Sequence, residues 1–399
     1  MLSFVFSLSK ELDLNDLHIA LLSYIKSKIK NENFFLIIDD FHSPQEENSI
    51  TLDILKKFSI DTEEKIYRSE NKNIYYNMAL RLIQEKKAFP CFCQKTNSCE
   101  CKNLSQEKIE QLKKEKSFVV KVNALKATLF DTIEGKKEKE LDDFIILNKE
   151  FIPSKAFAYS VESIIYDISE IIKLKEETLE SFQESAIRTL LDYSKELAYT
   201  HIPKILNVPT LKELLEEGII PDAIINYLLE SYIDKEIFYL PEAIEVLKEN
   251  SLSNFLEKFD KKRLLEFNKK HLLAMDSKKL SSVFSFADSA IGEFLKLYLQ
   301  LDSINTINDL EVIFKKVFSV KNCSKKQKLL ASIIFEAPMI ESFEEFMNYL
   351  QKQAQENNTN NLKEDIRLLL TGDANTKVSL ENIYSYLKPY LLEVVQCQS

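Results

Sequence analysis

The stretch CFCQKTNSCEC places Cys91, Cys93, Cys99 and Cys101 as C-x-C-x5-C-x-C. Four thiolates this close can converge on one tetrahedral Zn2+, each bond near about 2.3 Å. With every position taken by sulfur no site is left for water, so the spacing points to a structural metal and not a catalytic one. Disulfides are the poorer explanation in a cytosolic chain, and neighbouring C-x-C side chains diverge. Four reduced cysteines on a turn are the alternative. Cys323 and Cys397 stand apart from the cluster and read as ordinary packing or surface residues.

The other chemistry-bearing type is notable for its scarcity. Average usage of about 7% predicts roughly 28 glycines in a chain of this length; there are 4, at positions 135, 218, 292 and 372. A phosphate cradle needs glycines so that backbone N–H groups can approach the anion. Neither G-x-G-x-x-G nor G-x-x-x-x-G-K-[ST] can be written anywhere in the sequence. Any nucleotide chemistry must use another device.

The 399 residues carry 53 Lys+Arg against 63 Asp+Glu, a net charge of -10. That balance argues against indiscriminate nucleic-acid binding, which relies on a generally positive field. The basic runs at 113–116, 136–140 and 321–328 read as solvated faces. At 45% hydrophobic and 29% charged, the chain can bury real cores. Its length suggests about two to four domains. The opening MLSFVFSL lacks a positive flank and reads as a buried first strand, and no apolar run approaches the length of a membrane span. A cytoplasmic protein with no membrane partner is expected.

Apolar recurrence predicts helices over 17–31, 74–86 and 105–116, and FFLII at 34–38 reads as a buried strand ending in Asp39-Asp40. From 117 to 151 the pattern is β-rich, with Gly135 at a turn. From about 155 onward the chain reads as almost wholly helical. LKELLEEG stops on Gly218 with Pro221 just beyond. The polar stretch 351–361 reads as a loop or linker, and no internal repeat is visible.

In this order the segments resemble the bacterial glutamyl-tRNA synthetase family of class I aminoacyl-tRNA synthetases. FFLIIDDF (34–41) is similar to the family's FILRIEDTD strand, and Arg68-Ser69-Glu70-Asn71 with Tyr75 to its QSER…Y segment. KKAFPCFC (86–93) resembles the start of the zinc-binding insertion. FDTIEG (130–135), LDDFIILN (141–148) and Pro153 resemble the landmarks that follow. Further on, GIIPDAIINYL (218–228), FDKKRLLEFN (259–268) and Arg367, Leu370, Thr371 and Gly372 keep the family's order. The resemblance implies an α/β Rossmann-like catalytic-type domain with a zinc-bearing insertion. An all-α stem-contact region and an anticodon-binding-like helical domain follow. The implied boundaries are 1–75 with 156–205 for the split Rossmann-like domain, 76–155 for the acceptor-stem-type insertion, 206–270 for the stem-contact-like region and 271–399 for the anticodon-binding-like domain.

The departures fall where the family does its chemistry. Its His-Ile-Gly-His signature, whose imidazoles and close-packed glycine embrace ATP, corresponds to Asp13-Leu14-Asn15-Asp16. Like charge beside a triphosphate is unfavourable in a shielded site, although an Asp pair can in principle hold Mg2+. The Lys-Met-Ser-Lys-Arg loop has no room between Pro203 and Gly218, where Lys204 and Lys212 are the only lysines. The family's Tyr-Asn corresponds to Lys155-Ala156, its R-G-x-D-H to a segment beginning at Lys173, and its substrate-pairing arginine to Ile37. Neither Lys nor Ile reproduces the bidentate Arg–carboxylate fork. The two lysines read as compensating surface charge or as holders of some other anion.

Loss of site with retention of scaffold implies a non-catalytic pseudo-synthetase that binds tRNA, another RNA or a protein partner of translation. Structural Zn2+ is the expected cofactor, and ATP and Mg2+ are not expected. The alternatives are a divergent but active glutamate–tRNA ligase and a docking subunit of a synthetase or amidotransferase assembly.

Overall fold

The computed structural model describes residues 1–399 apart from 8–9, 42–47, 63, 94–98, 249–251, 253–254, 355–360 and 399. Most of the polar stretch at 351–361, and the tip of the cysteine segment, therefore lie outside the described residues. The chain divides into two compact units, Met1–Glu213 with Leu228–Phe259, and Leu214–Tyr227 with Asp260–Ser399.

The first unit is built as β1 (Leu2–Ser7), α1 (Leu14–Lys30), β2 (Phe34–Asp39), α2 (Asn48–Lys57), β3 (Glu64–Tyr67) and α3 (Lys72–Gln84). Then come β4 (Ala88–Cys91), α4 (Gln106–Glu115), β5 (Val119–Val122), β6 (Leu125–Asp131), β7 (Gly135–Leu141) and β8 (Phe144–Leu147). It closes with α5 (Lys155–Ile165), β9 (Glu170–Leu174), α6 (Thr178–Leu190) and β10 (Ala198–Ile202). Seven strands form one sheet in the order β3-β2-β1-β9-β10-β6-β7, parallel except for the last pair. A second sheet, β4-β5-β8, is antiparallel and carries the cysteines at its end.

Short apolar runs make the central strands: FFLIID of β2 is buried along almost its whole length, as a parallel strand covered on both faces must be. β1 pairs with β2 from Leu2↔Phe34 to Ser7↔Asp39, and β9 with β10 from Ala198↔Glu170 to Ile202↔Leu174. Between β1 and β9 the register holds only Leu2↔Glu170. The two halves of the sheet thus part toward their C-terminal ends, at the point where strand order reverses. In doubly wound sheets that is where a crevice forms.

The strands β9 and β10 interrupt the stretch that reads as almost wholly helical from about 155, and both lie within the 156–205 segment that the resemblance assigns to the split Rossmann-like domain. Each is five residues long and carries polar residues: Glu170 and Thr200 bond to each other and to Lys26, Lys173 pairs with Glu184, and His201 pairs with Asp131. Their apolar periodicity is correspondingly weak.

The second unit takes in parts of α7 (Leu211–Glu216) and α8 (Pro221–Leu229); α9 (Leu240–Leu247) belongs to the first. From Asp260 onward it is helical: α10 (Lys261–Ala274), α11 (Ser277–Ser282), α12 (Ser289–Leu299), α13 (Ile307–Phe318), α14 (Lys325–Glu336), α15 (Phe343–Ala354), α16 (Leu362–Thr371), α17 (Leu380–Leu387) and α18 (Leu391–Val394). Its core is apolar, with Phe294, Leu295, Leu310, Ile366 and Leu387 fully buried. Gly292 lets α12 lie against α11, because a Cβ there would fall 1.9 Å from the Ser277 carbonyl oxygen. Gly218 adopts φ +82° beyond α7, and a Cβ there would meet the Asn308 backbone nitrogen at 2.7 Å.

Two readings of this unit need correction. Cys323 and Cys397 are joined in a disulfide and are not ordinary packing residues. Lys321, inside a run expected to be a solvated face, is buried; its Nζ donates to the carbonyls of Val317 and Val394. Those carbonyls end α13 and α18, where helices leave acceptors unsatisfied. Among the described residues, no helix is long and apolar enough to cross a membrane.

Candidate functional site

A cleft of about 580 Å³ opens where β1 and β9 part. Ser3 to Val5 of β1, Asp39 of β2 and Ile172 to Leu174 of β9 form its floor and walls. The start of α1 closes one side with Asp13, Asn15 and Asp16; Lys155 and Tyr159 of α5 and Glu180 of α6 line others. Of the positions singled out from the sequence, Asp13, Asn15, Asp16, Lys155 and Lys173 therefore meet at one cleft. Leu14, Ile37 and Ala156 do not face it: all three are buried in the core.

The N-terminus of α1 is closed by its own side chains. Asp13 is the N-cap, and its carboxylate accepts from the backbone N–H groups of Asn15 at 2.8 Å and Asp16 at 3.1 Å. Asp16 reaches back to accept from the Asp13 N–H at 3.0 Å, completing a capping box. Lys10 bridges both carboxylates, 2.8 Å from Asp16 and 3.4 Å from Asp13. Burial alone would lower the Lys10 pKa, but the two carboxylates outweigh it and raise it. Burial raises the Asp16 carboxyl against the opposing pull of Lys10. The Asn15 and Asp16 N–H groups, which a helix start would offer to an incoming anion, are here committed to the Asp13 carboxylate.

Asn15 is a strut. Its side chain accepts from the Ile205 N–H at 2.8 Å and donates to the Ile205 carbonyl at 3.1 Å. The segment after β10 is tied along its length: the Leu206 N–H donates to Glu257, the Phe259 N–H to Leu206 and the Leu211 N–H to Leu12. An isolated bridge joins Asp13 and Thr210. Residues 203–210 run directly into α7.

The cations of the cleft are neutralised from below. Lys173 pairs with Glu184 of α6, which is fully buried, and lies 5.1 Å from the centre of the Tyr159 ring. Burial pushes the Glu184 carboxyl up to about 7, with Lys173 opposing. Arg68 forms a fork with buried Glu162 of α5, Nε to Oε1 at 2.8 Å and Nη2 to Oε2 at 3.0 Å. It also reaches Asp39 at 3.0 Å, while Tyr75 donates to Glu162 at 2.8 Å. Burial disfavours the Arg68 charge, but Glu162 and Asp39 overcome that and raise its pKa. Lys204 pairs with Glu176 at 3.0 Å. Lys155 is exposed and has no ion pair among the described residues. In all, the lining carries five basic and six acidic side chains.

Glu162, Glu184 and Lys10 were not singled out from the sequence. Carboxylates on the apolar faces of α5 and α6, beside Phe157, Val161, Phe182 and Ile187, were the available signal. Next to the cleft, His201 Nδ1 contacts Asp131 at 2.5 Å and its Nε2 contacts Ser181 at 2.8 Å. The order resembles a hydrolytic relay, but Ser181 is fully buried and does not line the cleft. Burial lowers the His201 pKa, so the neutral ring donates to Asp131 and accepts from Ser181. It ties β10 to α6 and to the end of β6.

At the end of the smaller sheet the sulfurs of Cys91, Cys93, Cys99 and Cys101 all lie within 4.8 Å of one another. Cys91 is 3.5 Å from Cys93 and 3.4 Å from Cys99. Four sulfurs at about 2.3 Å from one tetrahedral ion stand about 3.8 Å apart, so the group fits a single metal ion.

A doubly wound sheet with a crevice at its switch point, interrupted by a small sheet ending in four thiols and joined to a helical unit, is the architecture of a class I synthetase. Residues 11–266 match the family described as tRNA synthetases class I (E and Q), catalytic domain. The chain is 36% identical to glutamate–tRNA ligase 2 of Sulfurovum sp. strain NBC37-1 and 32% identical to glutamate–tRNA ligase 2 of Sulfurimonas denitrificans. Each match covers 99% of this chain and 100% of the relative. The crystal structure of a glutamate tRNA ligase from Elizabethkingia meningosepticum, in complex with its amino acid, superimposes with a TM-score of 0.76 at 16% identity. It covers 98% of this chain and 97% of that one. The chain belongs to the glutamyl-tRNA synthetase family. The first alignment runs to 433 positions against 399 residues, so at least 34 of its positions have no counterpart here.

Proposed function

We propose that this family member no longer forms an aminoacyl-adenylate and acts by binding tRNA. The observation that carries this reading is the self-closed N-terminus of α1, where Asp13 and Asp16 occupy the helix N–H groups and Lys10 covers both carboxylates. Three facts support it. The cleft lining sets six carboxylates against five cations and so carries no net positive charge for a triphosphate. Arg68 and Lys173 are held by buried glutamates. The segment 203–210 is pinned, and a signature loop is a natural place for part of the missing alignment positions. The family fold supplies the tRNA partner, and binding falls to the insertion at 76–155, the stem-contact-like region at 206–270 and the helical domain at 271–399.

The test is ATP–pyrophosphate exchange with glutamate, run with tRNA present. No exchange above the enzyme-free background is expected, while tRNA is retained in a salt-dependent binding assay. Exchange well above background overturns the proposal. It would favour the second reading, an active glutamate–tRNA ligase, which the names of the relatives favour. That reading requires Asp13 and Asp16 to work through Mg2+, and an ATP titration with Mg2+ that shows no affinity removes it.

The four cysteines hold one structural Zn2+ in this proposal. One zinc per chain is expected by elemental analysis, and Cys99→Ser should lose it together with the order of β4, β5 and β8.

A further inference from the structure

The helical unit holds a feature that the proposed function does not use. Cys323 precedes Ser324, the N-cap of α14, and is bonded to Cys397 in the tail beyond α18, with their Cα atoms 5.6 Å apart. The tail lies beside residues 321–323 as a short parallel bridge. The Lys321 N–H donates to the Gln396 carbonyl at 2.8 Å, and the Gln398 N–H to the Lys321 carbonyl at 2.9 Å. Val394 and Val395 are buried, whereas Cys397 is half-exposed. Val395, Gln396 and Cys397 form one wall of a groove of about 510 Å³, and Val320, Ala331 and Phe335 line the remainder. Phe335 and Val320 are exposed there at 57% and 50%.

We propose that the Cys323–Cys397 pair is a redox-operated latch that holds the tail against residues 321–323 and so builds or dismantles one wall of this groove. The tail is the element that moves. It follows a helix of only four residues and is held along its edge by two backbone hydrogen bonds, so without the covalent link local opening is cheap. Cys323, by contrast, is buried. The Lys321 ammonium caps α13 and α18 through contacts that do not involve the disulfide, so in the proposal opening is confined to the segment beyond Val394.

The oxidant is a low-molecular-weight disulfide such as oxidised glutathione. One cysteine thiolate attacks a sulfur of that disulfide and releases one thiolate. The second cysteine then displaces the other, forming the protein S–S bond. The two thiol protons end on two glutathione molecules, and excess reduced glutathione reverses both steps.

The full chain is equilibrated in oxidised or reduced glutathione, quenched in acid, alkylated and mapped by mass spectrometry. Hydrogen exchange is followed at Lys321 and Gln398 in both buffers. The linked Cys323–Cys397 peptide should form under oxidised glutathione and disappear under reduced glutathione, independently of the zinc-site cysteines. Reduction should speed exchange at the two amides by about tenfold or more, and Cys397→Ser should exchange fast in both buffers. Two results overturn the latch. One is separate alkylation of both thiols under oxidised glutathione in protein with a native circular-dichroism spectrum. The other is equal exchange in the two buffers. If Cys397→Ser does not fold, the two-buffer comparison on the unaltered chain decides alone.

Discussion

Buried charge is held differently beneath the cleft of the α/β unit and in the helical unit. Beneath the cleft of the α/β unit, Arg68, Lys173, Glu162, Glu170, Glu184 and Asp131 are all buried, and each is tied to an oppositely charged group or to several donors. In the helical unit, the buried ion among the described residues is Lys321, and it faces two carbonyls instead of a carboxylate. Its buried His271 is held neutral, with burial lowering its pKa. An apolar core needs no paired charge to pack. A crevice between splayed strands does need something to fix its walls, because β1 and β9 share only one register position there. In this chain the fixing is ionic, and the same ion pairs that shape the cleft also occupy the cations an anionic ligand would need, Lys155 excepted.

The largest effect is expected where that contrast is greatest. Glu162→Ala removes the fork from Arg68, leaving it Asp39, and removes the acceptor of Tyr75, and taking one partner from a buried pair costs about 3–5 kcal/mol. Urea unfolding should show this, with Glu162→Gln recovering part of it because it keeps the shape and an acceptor. A loss under about 1 kcal/mol would mean that the cleft is not fixed ionically.

Next come two pH profiles of opposite slope. Burial pushes the Glu184 carboxyl up to about 7, above the ordinary 4.5. The folded state therefore holds a proton that the unfolded state gives up, and the stability this group contributes is full below pH 4.5 and lost as pH rises through 7. Glu184→Gln should flatten that fall, by about 1–3 kcal/mol. Burial pulls Lys321 down to about 8 from 10.5, so its contribution rises with pH between those values. Lys321→Met should abolish that rise and, at neutral pH, leave the carbonyls of Val317 and Val394 unpaired, at about 1–3 kcal/mol. Matching slopes in the two units would break the comparison.

Much of the scaffold was legible because it rests on short-range patterns. The apolar run of β2, the helical period of α1 and the spacing of four cysteines are local signals, and the structure contains each. The strands β9 and β10 were not legible from local periodicity, only from the resemblance, because what makes Glu170 and His201 acceptable in a central sheet lies far along the chain. Glu170 is paired with Lys26 and Lys30, and His201 with Asp131. The Cys323–Cys397 link is similarly remote, 74 residues apart. Positions 13–16 read in sequence as a departure from the family signature, and three of the four line the cleft. Their use was harder to see, because two acidic residues three apart at a helix start fit an ion site and a cap equally well in sequence.

That ambiguity supports the smallest and most local prediction. If Asp13 serves the fold chiefly as an N-cap, Asp13→Ala should cost about 1 kcal/mol, and Asp13→Asn or Asp13→Ser should recover most of it. Both replacements keep an oxygen that can accept from the Asn15 and Asp16 N–H groups, yet neither carries the charge that now faces Lys10. A carboxylate pair built to hold a cation would behave differently. Asn and Ser would be as damaging as Ala in the presence of Mg2+, and added Mg2+ would raise the melting temperature of the unaltered chain alone. Thermal melts of the four proteins with and without Mg2+ separate the outcomes. Equal melting of the Asn and unaltered chains in both conditions assigns Asp13 to the helix it begins, and leaves the cleft closed by the same residues that start α1.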